Sequence, residues 1–352
     1  MELKCGLEVH QQLNTKKLFC ECPSILRNDA PEYIVQRRLH PVPGESGEVD
    51  EAARFEALKK MEFIYECYND NTCLVDLDEE PCHDINKDAL SIALKIALLL
   101  NCEIIPYTQI MRKTVIDGSN TSGFQRTVLI AKNGYVDIAS GRVRIATLCL
   151  EEDSARIIKQ EKDKTIYRLD RLGIPLVEIA TEPDIKTAEQ AKEVALHLGE
   201  ILRACDVKRG IGTIRQDVNL SVEGGQRIEI KGVQEPALIQ KTIEVEMERQ
   251  KGLIKKGNSV AEVRKAAPDG TSSFLRPMPG AARMYPETDL PLLYLSRDFI
   301  NEIKKDLPRL KSDLRQDLEK QGLNQEMIKL ILEENKLEEY KALLDVYKNP
   351  NL

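Results

Sequence analysis

The chain has 352 residues, of which 42% are hydrophobic, and a formal net charge of −7. This length and hydrophobic content predict one large globular domain with a smaller one. The negative charge argues against a protein that coats nucleic acid nonspecifically, because such binding needs an excess of lysine and arginine, although a local basic face stays open. No run approaches the roughly 18 apolar residues of a membrane span, and the N-terminus lacks the apolar region of a signal peptide. We therefore expect a cytoplasmic protein whose nine cysteines are reduced.

Two β-hairpins are predicted in the first part of the chain. The first joins strands at 128–131 and 135–138, because the Asn133-Gly134 pair between them is a strong signal for a hairpin turn. The second joins strands at 214–222 and 227–231 across a glycine-rich turn. Hairpins pair neighbouring strands in opposite directions, so we expect a sheet that is mainly antiparallel.

Three helices are predicted among these strands from residues that favour helix N-termini. Asn86 precedes one helix, Thr187 forms a capping box with Gln190 before a second, and Pro236 takes the first position of a third. Strands and helices together predict an α+β domain over residues 1–250.

The remainder of the sequence changes character twice. Residues 251–273 are basic, contain glycine and have few large apolar residues, so we expect a linker or loop there. Beyond residue 296 the apolar residues recur with a spacing near 3.6, which predicts short helices. We therefore expect the first domain to continue through 274–295 and a small, incomplete, all-helical domain to occupy 296–352. The predicted N-caps of these helices are Ser296, Ser312, Asn324 and Asn335.

The strand-like segment from Leu176 to Ala180 contains a single charged residue, Glu178. Burying a carboxylate costs several kcal/mol unless a metal ion or another cation compensates its charge. Glu178 is therefore a candidate metal ligand or catalytic group. The alternative is that this side of the strand faces solvent.

Glu8 and His10 lie two residues apart in another strand-like segment, so their side chains project from the same face. They are candidates for a shared binding task, and the alternative is an edge strand with a polar solvent side. The sequence has no Gly-x-x-x-x-Gly-Lys-Ser/Thr loop, so if ATP is used, its phosphates must be neutralised in another way. Carboxylates that hold Mg²⁺ are the usual substitute.

Three further features leave more than one interpretation open. Residues 117–125 are small and rich in hydroxyl groups, which suits a nucleotide-contacting loop and also an ordinary turn. Arg171 and Lys231 are candidates for pairing with phosphate or a substrate carboxylate, and a structural salt bridge is the alternative. Cys20 and Cys22 form half of a zinc-binding pattern, although the later cysteines lack the spacing that would complete it.

Several segments resemble, in order and rough spacing, the motifs of the tRNA-dependent amidotransferases that convert Glu-tRNA(Gln) to Gln-tRNA(Gln). Motifs similar to those of the subunits called B and E are found at 6–13, 18–22, 150–153, 167–184, 215–222 and 229–231. Segments that favour the archaeal E-type subunit are found at 37–41, 77–81 and 277–291.

The resemblance implies a cradle-like, mainly antiparallel catalytic domain that uses ATP and Mg²⁺. The metal ligands that it implies are His10, Glu152 and Glu178, with Glu8 beside them. Glu152 is chosen over Glu151 by alignment and not by periodicity. The residues that the resemblance places beside ATP are Ser122, Gly123 and Gln125. Arg171 and Lys231 complete the implied catalytic set.

The activity implied by the resemblance is that of a kinase and transamidase subunit. ATP would phosphorylate the γ-carboxylate of glutamate on tRNA(Gln), and ammonia would displace the phosphate. The four histidines of this chain form no recognisable Ser-His-Asp or Cys-His signature, so it is not expected to hydrolyse glutamine itself. The implied ammonia source is a partner, the asparaginase-like D-type subunit of the amidotransferase, in a complex with two copies of each subunit and no membrane association.

The sequence departs from the pattern of the E-type subunit in two places. Residues 251–273 stand where an inserted domain like that of bacterial aspartyl-tRNA synthetase is expected, and the family's tail domain is missing. Two other functions remain open from the sequence. One is a noncatalytic subunit for tRNA binding or assembly, and the other is an ATP-dependent ligase that acts on a free carboxylate.

Overall fold

The computed structural model describes residues 2–44, 47–279, 283–334 and 336–347, and it confirms the predicted α+β class. The strands of this part of the chain are β1 (Leu3–Gln12), β2 (Tyr33–Arg37), β3 (Glu62–Cys67), β4 (Glu103–Ile104), β5 (Tyr107–Thr108), β6 (Ile110–Thr114), β7 (Phe124–Ile138), β8 (Gly141–Glu152), β9 (Arg156–Gln160), β10 (Lys164–Arg168), β11 (Pro175–Thr181), β12 (Ile214–Val222), β13 (Ile228–Lys231), β14 (Glu262–Ala266), β15 (Ser272–Pro277), β16 (Met284–Pro286) and β17 (Leu293–Tyr294). The helices are α1 (Glu51–Ala57), α2 (Lys87–Leu99), α3 (Ala188–Ala204), α4 (Pro236–Lys255), α5 (Arg297–Lys305), α6 (Lys311–Lys320), α7 (Gln325–Glu333) and α8 (Leu337–Tyr347).

No helix in the described ranges is long and apolar enough to cross a membrane.

One large sheet dominates the fold, with strand order β15-β14-β13-β12-β1-β11-β8-β7-β6-β16 and β4 added beside β7. Its pairs are antiparallel except β13 with β14, which α4 connects in the chain. A smaller sheet has the order β2-β3-β10-β9. The predicted predominance of antiparallel pairing is thus confirmed.

The large sheet is strongly curved. Strands β15 and β16 stand at opposite ends of the strand order, yet only residues 278–283 separate them in the chain. The seven Cα steps from Pro277 to Met284 reach at most about 25 Å. Ten strands lying flat would extend about 43 Å. The two edges of the sheet therefore approach each other, as a cradle requires.

The main hydrophobic core lies between one face of this sheet and helices α2, α3 and α4. Alternation along β1 directs Leu7 and Val9 into the core, where both are 1% exposed. Helix α3 presents Val194 and Leu198 to the same core, and its N-terminus is capped by the Thr187 side chain, as predicted. The opposite face of β1 is left for polar side chains.

The hairpin predicted at Asn133-Gly134 is wrong, because β7 runs through this pair and turns at Ala139-Ser140. Asn133 has a φ of 54°, and Gly134 lies against the chain between α2 and β4. A Cβ atom on Gly134 would lie 2.3 Å from the Cys102 sulfur. The glycine therefore permits a close approach inside a strand and does not form a turn. The second predicted hairpin, between β12 and β13, is confirmed.

The linker expected at 251–273 is not found. Helix α4 continues to Lys255, and β14 and the first two residues of β15 also lie in this segment, where they extend the large sheet. These strands pair through backbone hydrogen bonds, which the composition of the segment does not reveal.

Short helices follow residue 296 as predicted, and α6 to α8 share a separate apolar cluster that includes Leu318 and Ile328. Ser296 and Asn324 cap α5 and α7. Helix α6 begins at Lys311, so Ser312 is not its cap, and Asn335 lies outside the described residues.

We expect Gly134→Ala to lower the free energy of unfolding by about 1–3 kcal/mol, because the new methyl group collides with Cys102. The control is Gly252→Ala in α4, where a Cβ atom meets nothing within 4 Å. It should leave stability unchanged or raise it by up to about 1 kcal/mol. Urea unfolding of both variants measures this, and equal stabilities would contradict the account.

Candidate active site

A cavity of about 670 Å³ lies over the sheet face that the helices leave uncovered. Cavities of this size commonly hold small ligands. Its charged lining residues, contributed by strands and by the loops that follow them, are Glu8, His10, Lys113, Asp117, Glu151, Asp153, Arg171, Glu178, Arg215, Asp217, Arg227, Glu229, Lys231 and Arg283.

Strand register brings the central members of this set together. In the antiparallel pair β1 and β11, His10 lies opposite Glu178. In the pair β1 and β12, Glu8 lies opposite Asp217. Directly opposed residues project from the same face of a sheet, so four polar side chains from three strands meet above the cavity floor.

His10 lies between two carboxylates. Its Nε2 atom is 3.2 Å from Glu178 Oε2 and 3.3 Å from Glu8 Oε1. Burial opposes the charged form of His10, but the hydrogen bond with Glu178 and the charges of both carboxylates raise its pKa. Burial and the nearby Glu178 charge raise the pKa of Glu8 to about 7.

Two lysines compensate the other carboxylates of the cavity. The Lys113 ammonium is 2.5 Å from Glu151 and 3.4 Å from Glu178. The Lys231 ammonium is 2.8 Å from Asp217 and 2.6 Å from Glu229. Although burial acts in the opposite direction, Lys113 and His10 lower the pKa of Glu178, so this carboxylate stays ionised.

Two overlapping groups of side chains fit a divalent cation. The ligand atoms of His10, Glu151 and Glu178 all lie within 4.8 Å of one another, and so do those of Glu8, His10 and Asp217. Carboxylate oxygens are the ligands that Mg²⁺ and Mn²⁺ favour, and an imidazole is an accepted companion. The residues present therefore fit such an ion, with His10 common to both groups.

The structure does not bring Glu152 to this site. Its carboxylate lies on the opposite side of the sheet, 3.4 Å from Arg126, and Glu151 takes its place in the cavity. The sequence carried a signal for this outcome, because Leu148 and Leu150 are core residues and Glu152 shares their parity along β8. The alignment with the motifs of the amidotransferase subunits had selected Glu152 instead of Glu151.

Of the three residues expected beside ATP, only Gln125 lines the cavity, and its side-chain amide donates to Glu151 Oε2 at 3.0 Å. The Ser122 hydroxyl donates to the Phe124 carbonyl, and Gly123 adopts a φ of +77°, so both serve the local turn. The residues of this loop that do reach the cavity are Asp117 and Ser119.

Two tyrosines of the smaller sheet fix the position of that loop. The Tyr65 hydroxyl donates to the Gly118 carbonyl at 2.9 Å, and the Tyr167 hydroxyl donates to the Asp117 carbonyl at 2.8 Å. The small sheet thus holds the loop at the rim of the cavity. Sequence patterns gave no indication of these long-range contacts.

Arg171 and Lys231 both line the cavity, as expected for candidate binding residues. Arg171 donates to the backbone carbonyls of Ser154 and Ala155 at 2.7 and 2.9 Å, and it lies 3.8 Å from Asp153. Part of its hydrogen-bonding capacity is therefore structural. Burial lowers the pKa of Arg171.

Cysteines far apart in the sequence meet outside this cavity. Ligand atoms of Cys20, Cys22, Cys73 and Asp76 lie within 4.8 Å of one another, and the Lys17 ammonium contacts Asp76 at 3.0 Å. Hydrogen bonds from the Cys20 and Cys22 thiols lower the pKa of Cys73 to about 2. The pattern that Cys20 and Cys22 begin is therefore continued by Cys73-x-x-Asp76, in which an aspartate stands where a second cysteine was sought.

We expect Lys113→Met to lower the free energy of unfolding by about 3 kcal/mol, because Glu151 and Glu178 lose their shared cation. Added Mg²⁺ should raise the melting temperature of the variant more than that of the wild type, since the ion replaces the lost charge. Lys186→Met, which removes an exposed partner of Glu2, is the control and should show neither effect. An equal response of variant and wild type to Mg²⁺ would exclude a cation at this position.

Glu151→Gln and Glu152→Gln separate the two adjacent glutamates. We expect the first change to weaken Mg²⁺ or Mn²⁺ binding by at least about tenfold in calorimetric titration, because a ligand charge is lost. The second should leave cation affinity close to that of the wild type while lowering stability, since Arg126 loses one of its two carboxylate partners. The reverse pattern would restore Glu152 as the ligand.

Comparison with known proteins identifies the family of this chain. Residues 3–301 match the GatB/GatE catalytic domain family. The chain is 38% identical over 486 residues to the E-type subunit of the glutamyl-tRNA(Gln) amidotransferase of Methanocaldococcus jannaschii, an alignment that covers 99% of this chain and 77% of that protein. It is 54% identical over 250 residues to the same-named protein of Methanococcus maripaludis, covering 70% of this chain and 40% of the relative. The same-named protein of Methanobrevibacter smithii is 53% identical over 253 residues, covering 72% and 41%.

The alignment to the Methanocaldococcus protein is longer than the 352 residues of this chain, so that relative contains residues within the matched region that have no counterpart here. The family match extends across most of the chain and includes every residue of the cavity. The chain therefore belongs to the GatB/GatE catalytic domain family.

Proposed function

We propose that this chain is the kinase and transamidase subunit of a tRNA-dependent amidotransferase that converts Glu-tRNA(Gln) to Gln-tRNA(Gln). Family membership and the names of the relatives support the overall reaction. The observation that carries the chemistry is His10 held between Glu8 and Glu178, with Glu151 beside them, in one cavity.

The reaction needs an activated substrate because a carboxylate is a poor acyl donor to ammonia. Transfer of the γ-phosphoryl group of ATP to the γ-carboxylate of the glutamyl group forms a C–O–P linkage and releases ADP. Ammonia then attacks the acyl carbon, inorganic phosphate leaves with the C–O bond electrons, and an amide results. A single cavity lined by cations and carboxylates suits both steps.

A Mg²⁺ ion would be held by His10, Glu151 and Glu178, and it would neutralise phosphate charge during transfer. The protein's own contribution is to keep the carboxylate ligands ionised and all three ligands in place. Lys113 stabilises Glu151 and Glu178 as carboxylates, and Lys231 does the same for Asp217 on the other side of His10.

The phosphates of ATP need positive charge beyond that of the ion. Arg171 and Arg215 both line the cavity, and both lie near Asp153, which Arg215 contacts at 2.7 Å. Gln125 and Ser119 supply polar groups to the same cavity. These residues are the proposed contacts for the nucleotide.

Ammonia is proposed to come from an asparaginase-like partner subunit. In the described ranges no histidine is hydrogen-bonded to a serine or cysteine, since His10 and His83 contact glutamates and His197 lies near Glu200. The pair of nucleophile and base that amide hydrolysis usually needs is therefore missing from this part of the chain.

Glu178→Gln tests the proposal directly. The change keeps the volume and removes the charge, so we expect ATP-dependent formation of γ-glutamyl phosphate on Glu-tRNA(Gln) to fall at least a hundredfold, or about 3 kcal/mol. Binding of tRNA in a filter assay should not change. The exposed Glu223→Gln is the control and should retain full activity.

Two results would contradict the proposal. Wild-type phosphorylation by the Glu178→Gln variant would remove this carboxylate from the reaction. Equal phosphorylation of free glutamate and of Glu-tRNA(Gln) by the wild type would favour a ligase that acts on a free carboxylate.

A further inference from the structure

One cation of the cavity is not explained by the contacts within the protein. Lys113, Lys231 and Arg215 each contact carboxylates. Arg283, which precedes β16, lines the same cavity, and within the described residues its side chain donates a single long hydrogen bond of 3.4 Å, to the Thr114 carbonyl. No ion pair joins it to a carboxylate in the described part of the chain.

A second arginine lies beside it. Arg276 and Arg283 both line a small space that adjoins the cavity, together with Thr114 and the buried Asp50. The Nε atom of Arg276 and the hydroxyl of Thr114 are buried without a hydrogen-bond partner among the described residues. Burial and the charge of Arg276 lower the pKa of Arg283, whereas the charges of Glu151, Asp50 and Glu229 act in the opposite direction.

Two adjacent guanidinium groups, and buried N–H and O–H donors without partners, raise the free energy of the protein on its own. A bound anion would relieve both the repulsion and the missing hydrogen bonds. The position of Arg283 is fixed by the strand that it precedes, β16. Glu287, which follows β16 and is 1% exposed, accepts hydrogen bonds from Arg112 at 2.5 Å and from Arg126 at 2.8 Å and so anchors this strand. The arginine is thus held in place without using its own charge.

The chemistry of the cavity selects the kind of anion. The wall formed by Glu8, Glu151 and Glu178 repels an anion unless a cation intervenes. An anion that contacts this wall through a divalent ion and still carries charge elsewhere must have several oxygens, as a phosphoryl group has. A guanidinium presents parallel N–H donors that match two oxygens of such a group.

We propose that Arg283, supported by Arg276, binds the terminal phosphoryl group of the nucleotide in this cavity. This inference rests on the proposed function, and it names the contact that holds the group to be transferred. Because the arginines gain their anionic partner only when the nucleotide binds, their removal should weaken nucleotide binding without weakening the fold.

The test compares Arg283→Met, Arg283→Lys and Arg276→Met with the wild type in calorimetric titrations with Mg²⁺ and a non-hydrolysable ATP analogue. We expect Arg283→Met to weaken binding of the analogue at least about tenfold. Arg283→Lys should recover part of the loss, since lysine restores the positive charge but not the paired N–H donors of the guanidinium. The melting temperature of Arg283→Met should equal or exceed that of the wild type. Arg142→Met, which removes an exposed partner of Asp137, is the control and should bind the analogue normally.

Three results would overturn the inference. One is normal binding of the analogue by Arg283→Met. Another is a lowered melting temperature together with unchanged binding, which would make the arginine structural. The third is a loss of tRNA affinity with unchanged analogue affinity, which would identify the anion as a phosphate of the tRNA backbone.

Failure of the proposed function is distinguishable from failure of this inference. If the wild type binds no ATP analogue, the proposed function fails, and titration with inorganic phosphate then decides the inference. The assignment of Arg283 as a phosphoryl-binding residue is supported if the wild type binds phosphate and Arg283→Met does not. It is contradicted if the two proteins bind phosphate equally.

Discussion

Charge compensation by two lysines is the interaction on which the rest of the site depends. Glu151, Glu178, Asp217 and Glu229 project from neighbouring strands into one cavity, and without a cation their mutual repulsion would oppose the strand pairing that brings them together. Lys113 and Lys231 each lie between two of these carboxylates. The protein can therefore hold a concentrated negative charge in a folded state before any metal ion or nucleotide is bound.

Curvature of the sheet gives this charged face its second wall. Six residues connect opposite edges of the large sheet in the chain, and the last of them, Arg283, lines the cavity together with the carboxylates. Glu287, held by Arg112 and Arg126, secures the returning strand from the side away from the cavity. Carboxylates and cations that line one cavity would suit a ligand that carries both a metal ion and phosphate groups.

The sequence predicted those parts of the structure that depend on local periodicity. Alternation identified Glu8 and His10 as neighbours on one face, and capping residues located α2 and α3. Prediction from the sequence failed where a distant contact determines the local conformation. Asn133-Gly134 is a turn signal in isolation, but the chain near Cys102 uses the glycine for a close approach within a strand. Lys113 and Asp217 could be placed beside Glu178 and Glu8 only once the strand order was known. Glu152 was preferred to Glu151, although Glu152 lies on the same face of the strand as the core residue Leu150 and Glu151 does not.

The central claim is that His10 is a ligand of the divalent ion that accompanies the nucleotide, and pulsed electron paramagnetic resonance tests it most directly. Mn²⁺ would replace Mg²⁺ in protein labelled with ¹⁵N in its four histidine side chains, with a non-hydrolysable ATP analogue present. If His10 coordinates the ion, one directly coordinated nitrogen should modulate the electron spin echo of the wild type, and this modulation should disappear in His10→Gln. The absence of a coordinated nitrogen in the wild type, or its persistence in His10→Gln, would contradict the claim.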